Sequence, residues 1–219
     1  MSNRSKIKRE KLLSFLSKIR DEHNDDSSLI AINEIISELM EKKYGLVWEE
    51  HTERVDQEII DKIPVFTEDK AKMISETEDK EFNFLLEGDN LHSLYLLEKT
   101  HKGKVDVVYI DPPYNTGKKD FKYDDDYVDE EDGFKHSKWL SFMYNRLKVA
   151  RNIMSDDGII FMSIDDNEQA QLKLLSDAVF GENSFVIEMP RQTKKSGKTT
   201  GSFSKNHDYV LSTKVWNQI

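Results

Sequence analysis

The 219-residue chain has no cysteine, which excludes disulfides and every thiolate zinc site. Its six histidines show no His-Glu-x-x-His spacing, so no metal centre is expected. It has no apolar run near the ~20 residues that a membrane-spanning helix needs, and its N-terminus lacks the apolar segment of a signal peptide. With 34% charged residues and a mean hydropathy of −0.69, these absences lead to the expectation of a soluble, cytoplasmic protein with no membrane partner. Glycine occurs nine times but never as Gly-x-Gly. Proline occurs four times, and two of the four are adjacent.

Those two lie in Asp111-Pro112-Pro113-Tyr114-Asn115-Thr116-Gly117, directly after the apolar run Val105 to Ile110. A strand stops there and a rigid polar turn begins. The prolines fix φ and remove two backbone donors, and Asp111 is pushed toward an extended conformation by the proline after it. A carboxylate, a bare carbonyl and an aromatic face are thereby held together. Such a triplet suits an exocyclic amino group on a nucleobase, whose lone pair is delocalised into the ring. Asp111 accepting one N–H and the Pro112 carbonyl accepting the other would favour a more tetrahedral nitrogen with its lone pair available. Tyr114 would stack on a base taken out of the duplex, offsetting the unstacking cost by roughly 1–3 kcal/mol. Read alone, the tetrapeptide is also compatible with an ordinary strand-to-loop turn.

With Asn115-Thr116-Gly117 behind it, Asp-Pro-Pro-Tyr resembles the catalytic motif of amino-methylating DNA methyltransferases. The wider resemblance is to the modification subunit of type III restriction-modification systems. It runs through Leu86-Glu87-Gly88-Asp89-Asn90-Leu91, His136-Ser137-Lys138-Trp139-Leu140 and Ser163-Ile164-Asp165-Asp166-Asn167-Glu168. The resemblance implies a Rossmann-like α/β methyltransferase sheet and S-adenosylmethionine as cofactor. It further implies methylation of adenine N6 in double-stranded DNA, and a homodimer or a restriction subunit as protein partner. It gives catalytic roles to Asp111, Pro112, Pro113 and Tyr114, and cofactor contacts to Asp89, Asn90, Asp111, Asn115 and Thr116. Asp at 111 points to adenine; Ser there would point to cytosine N4.

The net charge of −10 is unusual for a nucleic-acid enzyme, but the charge is unevenly distributed. Acids concentrate in Asp120 to Asp132. From Arg191 to Lys214 six Lys or Arg face one acid, Asp208, and Lys194, Lys195, Lys198 and Lys205 are candidate DNA contacts or members of a solvated loop. Arg4, Lys6, Lys8, Arg9 and Lys11 form a basic start that is either a DNA contact or a solvated terminus.

Residues 1–80 read as a helical N-terminal arm without a catalytic motif. One helix presents Leu12, Phe15, Leu16 and Ile19. A second follows Ser27 and Ser28, presents Leu29, Ile32, Ile36 and Leu39, and closes at Tyr44-Gly45. A short helix carries Val55 and Ile59 before Pro64. Residues 81–219 then alternate as strand 82–86, helix 90–99, strand 105–110, helix 137–154, strand 158–164, helix 168–179 and strand 184–189. The alternation predicts a parallel, doubly wound sheet with Asp89, Asp111 and Asp165 just beyond strand ends. A last strand at 209–215 is expected to pair antiparallel with 184–189.

Several residues carry two readings. Asp89 is a helix N-cap or a nucleoside ligand. Asn115, Thr116 and Gly117 complete a pocket or form a turn. Asp165 and Asp166 are read as helix caps, and Trp139 and Phe142 as core. Gly197-Lys198-Thr199 resembles the end of a phosphate-binding loop, but Gln192 stands where its first glycine belongs, so nucleotide hydrolysis is not expected.

The chain departs from the resembled family in lacking a Phe-x-Gly-x-Gly segment. The expectation is an incomplete methyltransferase sheet that stops before the glycine-rich cofactor loop and the target-recognition region. Strand 105–110 would then either pair directly with 82–86 or need a complementary chain. A catalytically inactive module that associates with an intact methyltransferase or restriction subunit is the competing expectation.

Overall fold

The computed structural model describes residues 4–22, 25–40, 46–73, 83–124, 126–194 and 205–215. Contacts divide the chain into two units, Met1–Gly45 and Leu46–Ile219.

The first unit is a pair of helices, α1 (Arg4–Glu22) and α2 (Asp26–Met40). Asp25, rather than Ser27 or Ser28, caps α2. Its carboxylate accepts from the Ser28 amide at 2.9 Å and from the Ser27 hydroxyl at 2.8 Å. Those donors pull the Asp25 carboxyl down to about 2. On α2 the expected face holds at Ile32, which is buried, and at the half-buried Leu29 and Ile36. On α1 the face is turned: Leu12 and Phe15 are exposed, while Leu13, Leu16 and Ile19 are half-buried. Adjacent leucines at 12 and 13 made the helical phase ambiguous. The expected stop at Tyr44-Gly45 lies outside the described residues, as does the side chain of Leu39.

In the second unit a four-stranded sheet runs β1 (Val105–Ile110), β4 (Met154–Ile164), β6 (His207–Lys214), β5 (Phe185–Gln192). A hairpin of β2 (Lys122–Tyr123) and β3 (Asp126–Tyr127) stands apart. The helices are α3 (Arg54–Asp61), α4 (Asn90–His101), α5 (Lys135–Ile153) and α6 (Gln169–Phe180). The sheet is mixed, and the antiparallel pairing expected between the last strand and β5 is formed. β1 and β4 pair in parallel, while β6 inserts between β4 and β5 and runs against both. From β5 to β6 the chain returns antiparallel.

Residues 83–86 form no strand, and Phe84 and Leu85 are 79% and 92% exposed. Phe82 lies outside the described residues. Of the two expected alternatives, closure of this segment onto β1 therefore does not occur among the described residues. Among the described residues β1 is an edge strand bonded to β4 alone, with Val107 and Tyr109 each 60% exposed.

Alternation places Val108 and Ile110 of β1 and Ile160, Met162 and Ile164 of β4 on the covered face. There they meet α5 through Trp139, Leu140, Met143 and Leu147, spaced at three and four residues, and α6 through Leu172, Leu175 and Val179. Truncating one such side chain to alanine costs about 2–5 kcal/mol. At the foot of β4 the register slips between Val105 and Val107 as residues 155–158 bulge outward. Gly158 is needed there, because a Cβ would sit 2.9 Å from the Ser155 carbonyl oxygen.

Residues 46–73, read above with the N-terminal arm, make their contacts within this second unit. Trp48 Nε1 donates to Ser141 Oγ at 3.1 Å. Glu53 receives the guanidinium fork of Arg146 at 2.7 and 3.0 Å, both side chains being buried. Arg146 also donates to Asn90 Oδ1 and to the Phe142 carbonyl, each at 2.7 Å, and lies 3.4 Å over the Phe142 ring. The charge is thus fully partnered, as a buried guanidinium must be. Among the described residues no helix is long and apolar enough to cross a membrane.

Candidate active site at the carboxyl end of the sheet

Parallel pairing of Ile110 with Met162 brings the ends of β1 and β4 together, so Asp111 emerges beside the turn that begins at Asp165. The pairs Arg191–Asp208 and Gln192–His207 put the end of β5 and the start of β6 at the same end. Asp89 lies beyond no strand, and it opens α4 instead.

Asp111 is exposed, and the Tyr114 hydroxyl donates to its Oδ1 at 3.1 Å. Partial burial pushes the Tyr114 hydroxyl up to about 12, and the hydrogen bond to Asp111 and its charge add to the effect. The opposing charges of Asp208 and Arg191 also act on it. Those two form their own pair, with Arg191 Nε and Nη2 donating to Asp208 at 2.8 and 2.6 Å. Asp208 raises the guanidinium's proton affinity accordingly.

The loop is fastened from behind by the first turns of α5. Trp139, fully buried, donates its indole N–H to the Pro113 carbonyl at 2.7 Å. Asn115 is also fully buried, in the left-handed region at φ 56°. Its amide donates to the Lys135 carbonyl at 3.1 Å and to Glu168 Oε1 at 2.5 Å. His136 Nδ1 meets the same Oε1 at 2.6 Å. Burial pushes the Glu168 carboxyl up, while Asn115 and His136 partly restrain it. Thr116 turns the other way, its amide and hydroxyl donating to Asp120 at 3.0 and 2.8 Å. Gly117 has φ 76° and passes so close to Glu130 that a Cβ would lie 2.7 Å from its backbone.

The Asp89 carboxylate accepts from the Leu91 and His92 amides at 2.8 and 3.2 Å, so the N-cap is formed. An open groove of about 440 Å³ runs past it, lined among others by Phe66, Glu87, Asp89, His92 and Leu96 and without Asp111. Asp165 holds the turn into α6, accepting from the Asn167 amide at 2.9 Å. Asp166 faces outward, taking the Tyr209 hydroxyl at 2.9 Å and Lys205 at 3.3 Å, which lower its carboxyl. Lys194 is exposed. Lys195 and Lys198 lie outside the described residues.

Glu168, His136, Arg191 and Tyr209 were not singled out by sequence as parts of this site. Glu168 lies 53 residues from Asn115 and Arg191 lies 17 from Asp208. The only signal was that Glu168 and His136 occur inside blocks quoted for the resemblance.

The DNA methylase family matches residues 105–214, half of the chain, and that stretch holds the sheet and the fastened loop just described. The chain is 38% identical over 170 residues to the type III restriction-modification enzyme EcoPI Mod subunit of Escherichia phage P1, covering 67% of this chain and 26% of that protein. It is 45% identical over 124 residues to the probable HindVI Mod subunit of Haemophilus influenzae, covering 57% and 16%. Against the StyLTI Mod subunit of Salmonella typhimurium it is 42% identical over 151 residues, covering 59% and 23%. The chain thus spans about a quarter or less of the length of these relatives. With the family match lying over the sheet and its Asp111-to-Gly117 loop, the chain belongs to the DNA methylase family.

Proposed function

We propose that the chain carries the target-methylating site of an adenine-N6 DNA methyltransferase and belongs to the modification subunit of a type III restriction-modification system. The observation that carries this is Asp111 standing exposed at the end of β1 with Tyr114 beside it and the loop pinned at Pro113 and Asn115. Preorganised groups that need not move during reaction supply most of the electrostatic stabilisation in such sites. Asp111 orients the adenine amino group by accepting one N–H, and it is placed to receive the proton that the nitrogen sheds. Its Oδ2 is the oxygen the Tyr114 hydroxyl does not use. The Pro112 carbonyl accepts the second N–H, and the Tyr114 ring supports the extruded base. The basic residues Lys194, Lys195, Lys198 and Lys205 contact the DNA backbone.

S-adenosylmethionine, when bound, supplies the methyl group. The donor set fits it in part. Asp89 uses Oδ1 for the cap of α4 and borders the open groove, so Oδ2 suits a ribose hydroxyl. Asn90 is engaged by Arg146 and Thr116 by Asp120, and Asn115 is turned inward, so their side chains act by holding backbone in place. The fold is read as the Rossmann-like methyltransferase sheet, with 81–219 as catalytic region and 1–80 as helical arm. The assembly is read as a homodimer or a complex with a restriction subunit in the cytoplasm. The competing reading, a non-catalytic module that docks on an intact methyltransferase or restriction subunit, draws on the exposed edge of β1.

The experiment is transfer of labelled methyl from S-adenosylmethionine to duplex DNA by this chain, with nucleosides identified by mass spectrometry. N6-methyladenine formed by wild type and lost in Asp111→Ala supports the reading. Methyl on cytosine N4, or transfer that survives Asp111→Ala, overturns it. Absence of transfer together with stable capture of an intact methyltransferase favours the module.

A further inference from the structure

Behind the methylating loop lies a buried polar cluster that the proposed chemistry does not use. Asn115 is the residue immediately after Tyr114, fully buried and left-handed. Both donors of its amide are spent, on the Lys135 carbonyl and on Glu168 Oε1, so only one orientation of the amide satisfies the site. Glu168 is itself fully buried, while the His136 side chain that shares Oε1 is 47% exposed and reaches solvent. His136 Nδ1 lies 2.6 Å from that oxygen, and Lys135 adds a positive charge nearby.

The cluster is expensive in purely structural terms. Glu168 Oε2 and Asn115 Oδ1 are buried without a protein partner. A pair of apolar side chains would pack the same space without that cost. Its geometry points instead to the loop. With Trp139 holding the Pro113 carbonyl, the first turns of α5 grip the chain on both sides of Tyr114. Glu168 ties the second grip to the start of α6. Glu168 has no solvent exposure and its bonds go to Asn115 and His136, whereas Asp111 is exposed.

We infer that Glu168 is a positioning residue, which acts through the side chain of Asn115 and is oriented by His136 to hold Asp111 and Tyr114 in their working geometry. This rests on the proposed methyl transfer. A displacement of about 1 Å in such a group lowers turnover by as much as 10²-fold.

The test compares wild type with Glu168→Gln, Glu168→Ala, Asn115→Gly and the Ala/Gly double variant in steady-state methyl transfer, with folding checked by circular dichroism. Glu168→Ala is expected to lower kcat by roughly 10- to 100-fold while KM for DNA and cofactor stay within about threefold. Glu168→Gln keeps an acceptor oxygen toward Asn115 and His136 and is expected to retain kcat within about threefold. Asn115→Gly preserves the left-handed backbone but removes the tether, and should match Glu168→Ala, with no further loss in the double variant. A second readout is independent of activity. The Trp139 indole N–H resonance, assigned with Trp139→Phe, should shift and lose exchange protection in Glu168→Ala and stay in place in Glu168→Gln.

Wild-type kcat in Glu168→Ala, a harmless Asn115→Gly, additive losses in the double variant, or an unmoved indole resonance would each overturn the inference. If no form transfers methyl, the proposed function fails, and the indole resonance alone still decides whether Glu168 sets the loop.

Discussion

The indole N–H of Trp139 donates to the carbonyl oxygen of Pro113 at 2.7 Å, from a side chain with no solvent exposure. A helix thereby fixes the middle of a loop at two prolines that have no backbone N–H to donate. Trp139→Phe keeps the ring in the core but removes the donor. It should destabilise the second unit by about 1 kcal/mol in urea unfolding, the net worth of the hydrogen bond that is lost. Methyl transfer should fall further than stability alone accounts for, measured below the unfolding transition.

Asp111→Ala should abolish methyl transfer with little change in melting temperature, since the side chain is exposed. The same variant has a spectroscopic consequence. Loss of the acceptor and its charge removes two causes that hold the Tyr114 hydroxyl near 12, leaving burial as the larger one. In ultraviolet titration one tyrosine should therefore move down toward 10, the unperturbed phenol value, without reaching it. An unchanged tyrosine titration would show that the two groups do not interact in solution.

Breaking the Glu53–Arg146 fork from one side should cost roughly 3–5 kcal/mol, because the remaining charge is buried and unpaired. Glu53→Leu combined with Arg146→Met should cost less than either single change. A double-mutant cycle by chemical denaturation measures the difference.

Glu168 gives a pH dependence whose sign is fixed by its raised carboxyl. In the folded state the proton is held more tightly than in the unfolded chain, so this group favours folding at low pH. That contribution is lost as pH rises from 4.5, the unperturbed value, through the raised folded value. Glu168→Gln has no ionisation to lose. Its stability relative to wild type should therefore improve as pH rises across that window, and a constant difference from pH 4 to 8 would contradict the assignment.

Gly117→Ala should be destabilising for two reasons that add. At φ 76° an L side chain costs roughly 1–2 kcal/mol, and its Cβ would press on the backbone of Glu130 at 2.7 Å. Thermal melting checks the first expectation. A shift in the loop should also lower methyl transfer in folded protein.

Residues that repel water at short intervals made most of the elements readable. Val105 to Ile110 is a strand because six residues alternate sides of one sheet, and Leu140, Met143 and Leu147 mark a helix because they share one face. The apolar composition of residues 83–86 predicts a strand that the fold does not form. A strand also needs a neighbour for its hydrogen bonds, and β1 does not supply one. The helical phase of α1 failed where Leu12 and Leu13 competed for one face.

The sequence by itself determined the chemistry on offer: a carboxylate, two prolines and an aromatic ring in fixed order, on a loop after a strand. Those relations are local and follow from covalent geometry. Only the tertiary structure decided what holds that loop in place. Trp139 and Glu168 reach it across 26 and 53 residues of chain, His136 meets Glu168 in turn, and Arg191 with Asp208 adds charge near Tyr114. Burial decided their roles. A carboxylate or an indole becomes a fixed point only when it is removed from water and held by defined partners, and no interval in the sequence states which residues those will be.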